Sequence, residues 1–188
     1  HRDLHSFPTR RSSDLLPYPR SNSDGYKRLL GAPVYPVRIL VDADSCPVKD
    51  EVYRVAKRYE LDVILVSERW QRVPSEPWIE LIVVENEGRL DAADDRIVQE
   101  ASPAEIVVTE DILLAGRCLE IGASVLSPRG RVFTEETIGE AIATRTLMAE
   151  LRESGEITGG PAQFEKRDRS KFLQRLDEII QKTRLKRD

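Results

Sequence analysis

The stretch Val37-Arg38-Ile39-Leu40-Val41-Asp42-Ala43-Asp44-Ser45-Cys46-Pro47-Val48 decides how this chain folds. Apart from Arg38, its first half is a short apolar and largely β-branched run, the composition of a strand buried on both faces. The run stops at Asp-Ala-Asp-Ser, a cluster that ends strands, and Pro47 suits the first turn of a helix. Val48, Val52, Val55, Ala56 and Tyr59 then return at helical spacing with charge between them. Leu61 to Val66 is a second apolar strand, so the segment reads as a β-α-β unit with parallel strands and a right-handed crossover.

The alternation continues downstream. Ser67 to Trp78 is irregular, Ile79 to Val84 is a third strand, and Asp91-Ala92-Ala93-Asp94 opens a helix that buries Ile97, Val98 and Ala101. Glu105 to Thr109 is a fourth strand, a helix from Asp111 runs through Leu114, Cys118 and Ile121 to Gly122, and Ala123 to Leu126 is a fifth strand. Thr134 to Glu153 reads as a long amphipathic helix with Ile138, Ile142, Met148 and Leu151 inward. A glycine-rich loop leads to a last helix, about Arg167 to Lys182, with Phe172, Leu176, Ile179 and Ile180 on one face. An α/β fold with a mostly parallel sheet follows.

Length and composition bound the rest. The 188 residues suit one sizeable core, and 40% hydrophobic with 33% charged residues is an ordinary globular balance at a net charge of −4. No apolar run approaches the ~20 residues of a membrane span, so no membrane partner is expected. Two distant cysteines, Cys46 and Cys118, form neither a CxxC pair nor a disulfide framework, which fits reduced thiols and a cytoplasmic location. Residues 1–36 are read as a non-native or flexible leader: Ser6 to Leu15 resembles the translation of a common sequencing adapter, and four prolines follow before Val37. The only histidines, His1 and His5, lie in that leader. The remaining domain, 37–188, therefore has no route to Ser-His-Asp or Cys-His catalysis, nor to a histidine-bearing zinc site.

What the domain does have is aspartate at strand ends, where an open parallel sheet carries its functional crevice. Asp42 and Asp44 follow the first strand and, two apart on extended backbone, are expected to point the same way. Asp91, Asp94 and Asp95 follow the third strand, and Asp111 follows the fourth through Thr109 and Glu110. Clustered carboxylates resist ionisation unless a cation balances them. Oxygen ligands without histidine or thiolate favour Mg²⁺ or Mn²⁺, ions commonly recruited to phosphate chemistry. The plainer alternative leaves Asp91 and Asp111 as helix caps and Asp94 and Asp95 as solvated helix-start acids.

Four separated motifs, Val41-Asp42-Ala43-Asp44-Ser45-Cys46-Pro47-Val48, Asp91-Ala92-Ala93-Asp94-Asp95, Val108-Thr109-Glu110-Asp111 and Thr158-Gly159-Gly160-Pro161 with Arg167-Asp168-Arg169, occur in order. Together they resemble the YaiI/YqxD family of uncharacterised bacterial proteins, which is similar to the PIN-like nuclease superfamily. The resemblance covers about Val37 to Ile180. It implies a PIN-like three-layer α/β/α sandwich and metal-dependent phosphodiester cleavage, with RNA as the nucleic-acid partner. On that reading Asp42, Asp94 and Asp111 hold the metal, Asp44 and Asp95 are further ligands or acceptors, and Thr109 holds a water or orients Asp111.

Basic residues supply candidate substrate contacts. Lys49, one turn into the first helix, is expected near a phosphate oxygen, beside a helix start that favours anions. The stretch Lys166 to Asp188 has nine basic against four acidic residues; Lys166, Arg167 and Arg169, with Arg129 and Arg131, are expected to draw a nucleic-acid backbone inward. A solvated helix face is the plainer account of that charge run. Trp70 and Trp78 are either base-stacking or core residues. Two other functions share parts of this pattern. Asp-x-Asp after a first strand also opens haloacid-dehalogenase-type phosphatases, although no Gly-Thr follows Asp44, and a catalytically silent RNA- or protein-binding domain would keep the acids only as caps.

Overall fold

A computed structural model describes residues 37–85, 91–103, 105–155 and 163–185. The leader and the Thr158-Gly159-Gly160-Pro161 motif lie outside these residues. Six strands form one sheet: β1 (Arg38–Asp42), β2 (Asp62–Ser67), β3 (Ile79–Val83), β4 (Ile106–Val108), β5 (Ser124–Leu126) and β6 (Val132–Phe133). Their order is β3-β2-β1-β4-β5-β6, parallel throughout except for β6. The helices are α1 (Lys49–Tyr59), α2 (Ala92–Glu100), α3 (Ile112–Glu120), α4 (Glu135–Glu153) and α5 (Lys166–Leu185).

The central strands need apolar side chains on both faces because helices cover both. Side chains alternate along a strand, and the two cores divide accordingly. Ile39, Val41, Val63, Leu65, Ile106 and Val108 pack with Val52, Val55 and Ala56 of α1 and with Phe172, Leu176 and Ile180 of α5. Leu40, Ile64, Val66, Val107 and Val125 pack instead with Ile97 of α2 and Leu114, Ala115 and Cys118 of α3. The molecule is thus a three-layer α/β/α sandwich. Phe172 is wholly buried under α1, where truncation to alanine costs roughly 3–5 kcal/mol.

Two expectations are corrected and one strand is added. Pro47 lies in a turn before α1, not in its first helical turn. A two-residue strand, β6, pairs antiparallel with β5 after a turn in which Gly130 adopts φ 78°, and this pairing is too short to announce itself by periodicity. Met148, expected inward, is 37% exposed, and Ala141 is the one fully buried residue of α4. The cause is length: α4 has 19 residues but packs on α3, which has nine, so its second half outruns its support.

Candidate functional site

The strand order reverses between β1 and β4, which are paired from Ile39–Ile106 to Val41–Val108. The chain leaves β1 toward α1 on one face and leaves β4 toward α3 on the other, so a crevice opens at their carboxyl ends. Asp42 is the last residue of β1 and Thr109 follows β4 directly.

Thr109 is buried and bonds in two directions. Its hydroxyl donates to Asp42 Oδ2 at 3.0 Å and accepts the backbone N–H of Asp111 at 3.0 Å. Asp42 Oδ2 also accepts from the Ser45 hydroxyl at 2.9 Å. Burial pushes the Asp42 carboxyl above its ordinary range, the hydroxyls of Ser45 and Thr109 oppose the rise, and the charge of Asp44 adds to it.

Asp111 Oδ1 caps α3, accepting from the amides of Leu113 at 2.7 Å and Leu114 at 3.2 Å. The same oxygen accepts from Arg145 Nη1 of α4 at 3.2 Å. The capping alternative is therefore correct for Asp111. Asp91 likewise occupies the N-cap position of α2, but its side chain does not bond the helix amides.

Asp94, on the first turn of α2, is half-buried and makes no hydrogen bond or ion pair among the described residues. Its carboxyl is pushed up to about 6, first by burial and then by the negative charges of Asp111, Asp42 and Asp91, with Arg117 pulling the other way. Acids from β1, α2 and α3 thus share one electrostatic environment at the switch point. They are not clenched, however: among the described residues no three acids, histidines or cysteines form a preformed metal-binding group.

Two of the predicted acids face elsewhere. Asp44 turns to the end of β2, accepting from the Ser67 hydroxyl and the Glu68 amide, both at 2.7 Å. The strand ends at Asp42, so two-residue alternation no longer aims Asp44 alongside it. Asp95 forms an ion pair with Arg117 of α3 at 2.6 Å.

The predicted basic contacts are largely taken up in holding the fold. Lys49 Nζ donates to the Ala43 carbonyl at 3.0 Å and to Gln71, tying the loop after β1. Arg169 clamps buried Glu51 of α1 at 2.9 and 3.0 Å. Arg129 bridges Glu110 at 3.1 Å and Asp168 at 3.2 Å. Arg167 pairs with Glu165 on the surface, and Lys166 is exposed at the start of α5. Arg131 stays on the surface over the Phe133 ring. Trp70 is 76% exposed, whereas Trp78 packs against the α1–α5 core. Cys46 is buried and its thiol pushed up to about 11 by desolvation, which disarms it as a nucleophile.

A family model described as "Uncharacterized BCR, YaiI/YqxD family" matches residues 40–182. The chain belongs to the YaiI/YqxD family. It is 50% identical over 152 residues to a UPF0178 protein of Bradyrhizobium diazoefficiens, covering 81% of this chain and 90% of that relative. A UPF0178 protein of Rhodopseudomonas palustris strain HaA2 is 54% identical over 147 residues, 78% of this chain and 88% of its own. One of Brucella ovis is 54% identical over 150 residues, 79% and 91%. No solved structure matches.

In this YaiI/YqxD chain two kinds of site residue escaped the sequence reading. Ser45 holds Asp42, and its signal was a hydroxyl three residues after the strand-end acid. Arg145, which reaches Asp111, lies inside a long helix; its signal is its place four residues after Ala141 on one stripe. Among the described residues, no helix is long and apolar enough to cross a membrane.

Proposed function

We propose that this chain is a metal-dependent, PIN-like nuclease that cleaves phosphodiester bonds in RNA, with Asp42, Asp94 and Asp111 holding Mg²⁺ or Mn²⁺. The observation that carries the reading is the placement of acids at the adjoining ends of β1 and β4, where buried Thr109 joins Asp42 to Asp111 at 3.0 Å each way, with the Asp94 carboxyl raised by their charges. A carboxyl that forms no ion pair among the described residues, near two more at a switch point, fits a hard divalent ion in donor chemistry and in charge.

Bound there, the ion supplies a water of lowered pKa and neutralises charge on the phosphate. The chain's own part is to hold the acids. Thr109 and Ser45 fix Asp42 in orientation, and Thr109 ties the Asp111 backbone to the same point. The amides at the start of α3 hold the Asp111 carboxylate. Asp94 is left to meet the cation.

The test is cleavage of labelled single-stranded and structured RNA and DNA in Mg²⁺ or Mn²⁺, with Asp42→Asn in parallel. RNA cleavage by the parent that the variant loses supports the reading. Equal cleavage by both, or none by the parent in either metal, contradicts it.

A further inference from the structure

Beside the acids, α4 and the start of α3 enclose a groove of about 420 Å³. Its lining includes Arg131, Arg145 and Arg152 against one acid, Glu140. Arg145 reaches Asp111 at the inner end. Neither Arg131 nor Arg152 makes an ion pair among the described residues, so their charge faces the groove without an internal counter-charge, Arg131 lying over the Phe133 ring. Between the arginines lie Ile112, Ala141 and Met148.

Geometry gives the groove a direction. Ala141, Arg145, Met148 and Arg152 stand at i, i+4, i+7 and i+11, one stripe of the helix. Arg145 and Arg152 are seven residues apart, about 10 Å along the axis. One arginine therefore meets the acids while the other lies two turns out, a separation suited to a polymer with repeated anions. Ile112 and Met148, between the arginines, give unpaired bases an apolar contact that the stacked bases of a duplex do not make.

We infer that this groove receives the backbone of a single-stranded polynucleotide, with its phosphates on Arg131, Arg145 and Arg152 and its path leading past Arg145 to the acids. The inference deepens the nuclease proposal, on which it rests only for the place where the strand is cut. It also relocates the nucleic-acid contact from α5, whose Arg169 is committed to Glu51, to α4.

The test is anisotropy of labelled 12-nucleotide oligouridylate and oligothymidylate, with a 12-base-pair duplex in parallel, titrated with the full chain in EDTA. The parent binds both single strands more tightly than the duplex. Arg152→Gln weakens binding, and Arg145→Gln combined with it weakens binding by about tenfold or more, each lost arginine lowering the log–log salt slope by about 0.7. Arg175→Gln, on an exposed turn of α5, leaves binding unchanged. The inference is overturned if the parent binds neither strand, if duplex binds as well, or if the double variant, with an unaltered melting curve, binds as the parent does. Because no metal is present, the two proposals separate. Binding lost in the variants without any cleavage by the parent in Mn²⁺ retains the groove and removes the nuclease; cleavage by the parent with undiminished binding in the variants does the reverse.

Discussion

Thr109 joins Asp42 to Asp111: one buried hydroxyl donates to the carboxylate at the end of β1 and accepts from the backbone at the start of α3, each at 3.0 Å. A valine of similar shape keeps the packing but strips Asp42 of a donor and leaves the Asp111 amide without its acceptor. Thr109→Val is expected to lose about 1–3 kcal/mol, read as a lower urea midpoint, while Thr109→Ser retains most of the stability. Equal stability of the valine variant and the parent would show that the bridge contributes nothing.

Asp111 has two separable roles. Its side-chain oxygen caps α3, and an asparagine in its place still offers a capping oxygen but no charge. Asp111→Asn should therefore unfold near the parent's midpoint, whereas Asp111→Ala loses about 1 kcal/mol. Both should lose metal-dependent activity. Retained activity in Asp111→Asn would reduce Asp111 to a cap.

The raised Asp94 carboxyl has a definite pH signature. Its folded value is about 6 against an ordinary 3.8, so folding favours the protonated form. The stability from this preference is complete below the ordinary value and is lost as pH rises through about 6. For a half-buried group, screening reduces the effect to the order of 1 kcal/mol. In EDTA, Asp94→Asn should flatten the fall in urea midpoint between pH 4.5 and 7.5; superimposable profiles would place Asp94 in an ordinary solvent environment.

At the opposite end of the sheet, Arg38 pairs with Glu105, both buried, and reaches the Glu100 carbonyl at 3.1 Å. Burial raises the Glu105 carboxyl and Arg38 opposes the rise. Arg38→Met strands that acid in the core, at an expected cost of about 3–5 kcal/mol by chemical denaturation. A loss below about 1 kcal/mol would mean that Glu105 simply takes up a proton or water.

The β1–α1–β2 unit was legible because its apolar runs are continuous and its helical stripe regular. Asp42, Thr109 and Asp111 were legible because each stands where a strand stops. Other features depend on partners remote in sequence. Nothing local says that Arg169 is spent on Glu51, 118 residues away, or that Arg129 is held by Asp168. Asp95 and its neighbour Asp94 are alike in sequence, and it is the packing of α3 on α2 that gives the ion pair with Arg117 to Asp95. Asp44 departs from the expectation because β1 ends at Asp42 and strand alternation does not extend beyond it. The stripe of Arg145 and Arg152 was legible in principle, but the expectation that Met148 turned inward directed that face of α4 into the core.

The central claim, that Asp42, Asp94 and Asp111 act jointly on one divalent cation, is tested most directly by thermal unfolding with increasing Mn²⁺. A ligand that binds only the folded state raises the melting temperature as its concentration rises. The account predicts such a rise for the parent and its loss in Asp42→Asn, Asp94→Asn and Asp111→Asn alike. A melting temperature indifferent to Mn²⁺, or a rise that survives all three substitutions, would contradict it.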